Sequence, residues 1–353
     1  MTTAHRSPDP RYANALVGSA AGDAWGYQVE FRSYESIDPR PYPRPAGTWR
    51  ISDDTQMLLA THRALHRAGD LSDVDGVAAA LVSSYVEWTH DPDNDRAPGI
   101  ACMTSLAALE RGGTWDGGAP EESGGCGGVM RQAPASFLPE QVRRGVSVLQ
   151  TVVTHHHPKA VLSALLLCDA LTDARDGRTG GHVATAVDRL AELEKDVPAQ
   201  WRDDAHLGTV LSRITDDPHG YLLHGAHERH PGAPTMVEAF TAAAERVDSI
   251  PADAGWEGDP CAGVGEGWDA ATAVALAAMV ADRAAATGDP VGALAWAATS
   301  NGDSDSIAAI GGALVGAAMP DPDAWARAGL DPRFEDRYER EIAEACVQGP
   351  AGR

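Results

Sequence analysis

Apolar residues recur at helical spacing along most of the chain, and nowhere do they alternate with the period of two that a half-buried strand needs. Tyr12, Leu16, Val17 and Ala20 share one face of a first segment, which predicts a helix over 12–21 that ends on a glycine turn at Gly22-Asp23. Met57, Leu58, Thr61, Ala64 and Leu65 form the same kind of stripe in a helix over 54–68 closed by Gly69, and a second amphipathic segment covers 74–88. Further helices are predicted over 100–110, 141–154, 159–173, 182–194, 207–214, 236–247, 268–283, 292–299 and 307–318, with two more near 322–328 and 332–346. The 268–283 segment is apolar nearly all round, which places it centrally. Pro39, Pro41, Pro43 and Pro45 exclude regular helix from 32–50, a surface excursion able to act as a flap. The TDDPHG stretch at 215–220 reads as a turn, because Pro218 bars a helix start in the register that the similar ISDDTQ stretch uses. The pattern predicts an all-α chain with one domain over 1–353 and no repeat at a fixed period.

A chain of 353 residues can bury a sizeable core, and its 43% hydrophobic and 22% charged content is ordinary for a globular protein. The formal net charge of -23 changes the picture. It excludes phosphate-backbone binding as the main activity, since nucleic-acid affinity rests on Lys and Arg, and only Lys159 and Lys195 are lysines. Cys102, Cys126, Cys168, Cys261 and Cys346 are scattered without a CxxC pair, which fits a reducing compartment without structural zinc. The first twenty residues lack the apolar core of a secretory signal, and the apolar run over 270–281 falls short of the roughly 20 residues that span a bilayer. A cytoplasmic protein with no membrane partner is expected.

Two stretches carry the candidate chemistry. Ser52, Asp53 and Asp54 precede one apolar run, and Asp303, Asp305 and Ser306 open a helix of small residues near the other end. An N-cap with favourable first-turn charge accounts for either cluster alone. Capping needs only one carboxylate, however, and neighbouring carboxylates repel unless a cation neutralises them. Neither stretch contains Lys or Arg, so two oxygen-rich clusters that share a metal pair are the economical reading. Between them, Ser123, Gly124, Gly125, Cys126 and Gly127 form a glycine-rich loop whose bare amides, with the positive end of a following helix, suit an anion. The spacing matches neither the Walker nor the Rossmann pattern. Three consecutive histidines, His155 to His157, diverge on a helix and make a poor metal triad, so His155 is taken as a pocket-lining residue. Gly18 and Gly22 lie on one helix face, where a missing side chain permits close approach of a helix or a ligand. The aspartates of THDPDNDRAPGI read as solvated turn residues.

In order, GSAAGDAWGYQVEF, ISDDTQM, GGCGGVMRQAP and NGDSDSIAAIGGALVGA resemble the ADP-ribosylglycohydrolase (ADP-ribosylhydrolase) family, with Thr154-His155 and GEGWDAATAVALA as supporting marks. The likeness extends from about Leu16 to Ala318. It implies a compact orthogonal multi-helix fold with two Mg2+ or Mn2+ ions in a cleft, and cleavage of the glycosidic bond between ADP-ribose and an acceptor. Under this resemblance Ser52, Asp53, Asp54, Asp303, Asp305 and Ser306 match metal ligands, and Glu30 matches the mobile glutamate that manages a proton. Ser123 to Gly127 match the diphosphate loop, and His155 matches a histidine near the adenosine half. Asp23 is expected to brace its turn. The implied partner is an ADP-ribose-containing substrate, with an ADP-ribosylated protein arginine first in line. Free ADP-ribose derivatives and a non-catalytic ADP-ribose-binding role are the alternatives. Three departures stand out: Asn301-Gly302 where Gly-Gly is frequent, Ser306 where Thr is usual, and Cys126 where Asn is frequent.

Overall fold

The computed structural model describes residues 9–117, 123–229, 233–251 and 253–352. Helices account for all of the regular structure among these residues, and the only β contacts are the isolated bridges Trp49 to Phe334 and Gly125 to Asp269. The chain is all-α.

The organising contact joins the first helix, Pro10–Gly26, to a late one, Ser304–Ala317. Every fourth residue of the first helix faces every fourth residue of the second in antiparallel register. A Cβ on Gly18 would lie 2.3 Å from the Gly312 carbonyl oxygen, one on Gly22 2.0 Å from that of Ala308, and one on Gly26 2.3 Å from that of Ser304. The backbones touch directly, so no side chain larger than hydrogen fits along the seam. This seam explains why the first helix runs through Gly22-Asp23, where the pattern predicts a glycine turn, and ends only at Gly26. The glycines serve helix packing rather than chain reversal.

Against this pair lies Ala270–Thr287, capped by the Asp269 carboxylate on the amides of Ala271 and Thr272. Its length and composition alone would suit a membrane span, yet 83% of it is buried inside the molecule. Asp53–Arg67 packs on Val74–Thr89 and on the first helix, with Met57, Leu58, Thr61, Ala64 and Leu65 all buried as the stripe requires. Pro290–Ala297 and Asp336–Gln348 complete the neighbourhood of the site.

Two further expectations are corrected. Pro218 opens a helix, Pro218–His227, in place of the predicted turn: Asp217 caps it by accepting from the Gly220 amide, and proline at the first helical position loses no hydrogen bond. The 32–50 excursion is stapled down. Trp25 Nε1 donates to the Tyr42 carbonyl at 2.8 Å, the Tyr42 amide to Thr299 Oγ1 at 2.8 Å and the Tyr34 amide to Asn301 Oδ1 at 3.1 Å, while Ile37 and Trp49 are buried. Between Gly26 and Tyr34 only one tight turn, carrying Glu30 and Phe31, separates anchored segments.

Candidate functional site

The glycine seam fixes where the acids meet. Gly26 lies on the first residue of the Ser304–Ala317 helix, and Ser304 Oγ donates to the Gly26 carbonyl at 2.9 Å, so Glu30, four residues on, emerges beside Asp303 and Asp305. Carboxylate oxygens of these three residues all lie within 4.8 Å of one another.

The other acids arrive on the Asp53–Arg67 helix. Its exposed amides are satisfied largely from below by Asp23, which is fully buried and accepts from the Ser52 amide at 2.9 Å, the Thr55 amide at 3.0 Å and the Thr55 hydroxyl. Ser52 Oγ takes the Asp54 amide at 3.2 Å. With capping done by Asp23 and Ser52, the carboxylates of Asp53 and Asp54 are left for other partners. Asp53 accepts from the Gly99 amide at 3.3 Å, and its own amide donates to the Arg96 carbonyl at 3.1 Å. Asp54 accepts from Ser306 Oγ at 2.9 Å, which ties the two sequence clusters together. Asp303 occupies the N-cap position of its helix without capping through its side chain. Its carboxylate accepts instead from the Cys126 thiol at 2.9 Å.

Asp53, Asp54, Asp303 and Asp305 are between 2% and 6% exposed, and none forms an ion pair with Lys or Arg among the described residues. Burial first, and the Asp305 charge second, drive the carboxyls of Asp53, Asp54 and Asp303 upward, while Asp305 itself is raised by burial alone against the hydrogen bonds it receives. Glu30 is pushed up to about 10 by burial and by Asp305, Asp303 and Asp53, and Asp23 to about 7 by burial and Asp305. One oxygen of Glu30 is buried with no hydrogen-bond partner among the described residues. Glu30 and Asp303 also approach Asp305 within hydrogen-bond reach, a contact that carboxylates make only across a shared proton or cation. This donor set of carboxylates flanked by the Ser52 and Ser306 hydroxyls, with an orphaned oxygen, fits a hard divalent cation.

The glycine loop lies alongside. The Cys126 amide donates to the Trp268 carbonyl at 3.2 Å and the Ala270 amide to the Gly124 carbonyl at 3.0 Å, zipping the loop to the segment that starts the Ala270–Thr287 helix. Gly124 and Gly125 line a cavity of about 670 Å³ with Asp259, Glu266, Trp268 and Asn301. The expected helix behind the glycines is absent: a three-residue 3-10 turn, Cys126–Gly128, follows, and then only the single turn Ala133–Ser136. The loop therefore has no long helix following it in sequence, and the helix start beside it is that of Ala270–Thr287. Ser123 is buried, and its hydroxyl has no hydrogen-bond partner among the described residues. His155 lies beneath the loop at 2% exposure, and a Cβ on Gly127 would come within 2.7 Å of its ring. Its Nδ1 bonds Thr154 Oγ1 at 2.8 Å, and burial, then the Arg131 charge, hold it down at about 3, a neutral imidazole. His157 turns away to cap the Pro158–Arg175 helix through the Lys159 amide, so the three histidines do diverge.

Sequence reasoning missed several supporting residues. Asp91 and Asp93 are not simply solvated, because both pair with Arg337. Asn301 bonds Glu266 Oε1 at 3.0 Å and accepts from Tyr34, so this departure from Gly-Gly anchors the excursion to the second cluster. Gly302, at φ 102°, leaves no room for a Cβ beside the Glu266 carbonyl.

The family profile for ADP-ribosylglycohydrolases matches residues 4–351. Similar curated proteins include the ADP-ribosylhydrolase ARH1 of Dictyostelium discoideum, 29% identical over 43% of this chain and 44% of the relative. An ADP-ribosylarginine hydrolase of Serratia proteamaculans is 31% identical over 43% and 44%. The ADP-ribosyl-[dinitrogen reductase] glycohydrolase of Rhodospirillum rubrum is 27% identical over 58% and 72%. The chain thus spans less than half the length of the first two relatives. A solved structure described as an ADP-ribosylglycohydrolase-related protein complex superposes with a TM-score of 0.59 at 21% identity, covering 96% of each chain, which shows a shared fold. The chain belongs to the ADP-ribosylglycohydrolase family.

Proposed function

We propose that this protein hydrolyses the glycosidic bond between ADP-ribose and an arginine side chain of a modified protein, with two divalent cations, Mg2+ or Mn2+, held by Ser52, Asp53, Asp54, Asp303, Asp305 and Ser306. The observation that carries this reading is the buried group of acids around Asp305 without a basic partner among the described residues, placed next to a glycine loop that lines an open cavity. Isolated buried charges of one sign are costly enough that a protein keeps them only for a cation or a reaction. The names of the relatives, an ADP-ribosylarginine hydrolase and a dinitrogen reductase glycohydrolase, support the arginine acceptor.

When bound, the cations supply Lewis-acid grip on ribose hydroxyls and an activated water. The chain's own residues do the rest. Gly124 and Gly125 present backbone to the diphosphate, and neutral His155 supports their loop from below. Asp53, Asp54, Asp303 and Asp305 surround the distal ribose with negative charge, which favours oxocarbenium character at the anomeric carbon. Glu30, beside Asp303 and Asp305, is the group placed to hand a proton to the departing guanidine nitrogen.

The test is calorimetric titration of ADP-ribose into chelator-treated protein with and without Mg2+, followed by assay of ADP-ribose release from ADP-ribosylarginine. Binding and release that both require the metal are the expected result. Failure of ADP-ribose to bind with Mg2+ present overturns this reading.

A further inference from the structure

Phe31 and Trp268 are two of the few large hydrophobic side chains left exposed, at 72% and 43%, and their rings stack on each other with centroids 5.9 Å apart and planes 16° from parallel. Neither residue belongs to the set matched to ligands, yet each sits next to one half of the site. Phe31 directly follows Glu30 and holds a left-handed backbone with φ 65°, a conformation that a non-glycine residue adopts at a cost. Trp268 is fixed to the glycine loop, because its carbonyl accepts from the Cys126 amide and the next residue, Asp269, caps the central helix. The inner side of the Glu30 turn is held by buried Val29 and by Gln28, whose Nε2 donates to the Trp25 carbonyl at 3.2 Å, while its outer side carries Phe31. The backbone bonds of the turn run back to Gly26 and Val29, its far end is tied at Tyr34, and one Glu30 carboxylate oxygen has no hydrogen-bond donor among the described residues. The carboxyl is nonetheless brought in against Asp303 and Asp305, where like charge opposes it. On the outer side of the turn the Phe31–Trp268 stack is the contact that joins it to the glycine loop.

We propose that Phe31 and Trp268 form an aromatic clasp that positions Glu30 over Asp303 and Asp305 and couples it to the glycine loop during turnover. The proposal rests on the functional reading above. Both are positioning residues that act through Glu30. An aromatic pair of this kind is worth about two- to twelve-fold in an equilibrium, which sets the size of the effect.

The chain has four phenylalanines, and Phe137, Phe240 and Phe334 are buried, so protein labelled with 4-fluorophenylalanine reports Phe31 as its one exposed ring. Its fluorine line is assigned by its loss in Phe31→Tyr. In substrate-free protein the line is displaced by the Trp268 ring current, and Trp268→Leu moves it to the position of the free amino acid while the other three lines stay. With ADP-ribosylarginine, Phe31→Ala and Trp268→Leu each lower kcat about two- to twelve-fold, and Phe31→Ala leaves KM nearly unchanged. The double variant is no worse than either single one, and Phe31→Tyr restores the rate. A Phe31 line indifferent to Trp268→Leu overturns the clasp, as do two kinetic losses that multiply. Wild-type protein that neither binds ADP-ribose nor turns over overturns the functional reading instead, and the fluorine line of the substrate-free protein distinguishes the two failures.

Discussion

Two groups of acids lie on either side of Asp53, and they are built on opposite terms. On one side Asp91, Asp93, Glu335 and Glu341 face Arg96 and Arg337. Arg337 reaches Asp91 at 2.7 Å, Asp93 at 3.1 Å and Glu341 at 2.9 Å, and Arg96, 5% exposed, reaches Glu335 at 3.1 Å and the Ile51 carbonyl at 3.1 Å. Each carboxylate there has a guanidinium. On the other side Glu30, Asp53, Asp54, Asp303 and Asp305 are as deeply placed or deeper and have none among the described residues. The two groups meet at the Arg96 carbonyl, which receives the Asp53 amide. The paired group is a brace. The unpaired one is held in place by that brace and by the glycine seam, in a state that only protons or cations can relieve.

The sharpest way to break this contrast is Asp305→Asn. Asp305 is the acid that most raises its neighbours after burial itself, so its charge matters in opposite directions to the fold and to the proposed cation site. Loss of cation affinity should lower kcat/KM by about a thousand-fold or more, about 4 kcal/mol of transition-state stabilisation. The same change should raise the melting temperature of chelator-treated protein, because it removes like-charge repulsion. Activity assays, Mg2+ titration and thermal unfolding on one preparation measure all three. A variant that loses activity and melts earlier without metal would show that the carboxylate serves the fold, and the contrast would collapse.

Arg96→Met is the complementary change. It leaves Glu335 without its partner and loosens the segment that holds the Asp53 amide, at a cost of about 3 kcal/mol to stability. Chemical denaturation gives this directly. The expected signs are then opposite across the boundary, with an arginine lost from the brace destabilising the metal-free protein and an acid lost from the site stabilising it.

Much of this was legible in the sequence, for definite reasons. The 3.6-residue periodicity exposed the helices, and paired carboxylates without a cation exposed the two clusters, because both signals are local. The missing parts depended on contacts made across the chain. Gly22-Asp23 has the local chemistry of a helix stop, but Ala308 and Ser304, nearly three hundred residues away, accept the glycines into a seam and carry the helix to Gly26. Asp91 looks like any turn aspartate until Arg337 is placed against it. Pro218 was a misread local signal: proline after aspartate opens a helix as readily as it ends one. Cys126 was expected to line a phosphate loop; its backbone lies in the glycine loop, but its thiol points to Asp303, a direction no spacing encodes.

The smallest effect, and the one that separates the two groups without any mutation, is the pH dependence of stability. Asp91 is held below the usual carboxylate range by its hydrogen bonds to Arg337, so its contribution is present above that range and is lost as pH falls through its lowered value. The site acids run the other way. Their values are raised, so without metal their contribution is complete below about pH 4, near the unfolded value, and is lost as pH rises through about 7 for Asp23 and about 10 for Glu30. Metal-free protein should therefore melt at progressively lower temperature from pH 5 to about 9.5, and saturating Mg2+, which binds the deprotonated acids, should remove that slope. His62 opposes the trend, since burial holds it down at about 4 and its contribution grows as pH rises toward 6.5. It lies in a separate chain of hydrogen bonds from Tyr12 to Gln348, and metal leaves it unchanged. Subtracting the metal-free melting curve from the Mg2+ curve at each pH cancels His62 and the Arg337 brace together, and the remainder belongs to the unpaired acids. A difference that grows with pH above 6 supports the uncompensated cluster, and a flat difference shows that these carboxylates already have their counter-charge.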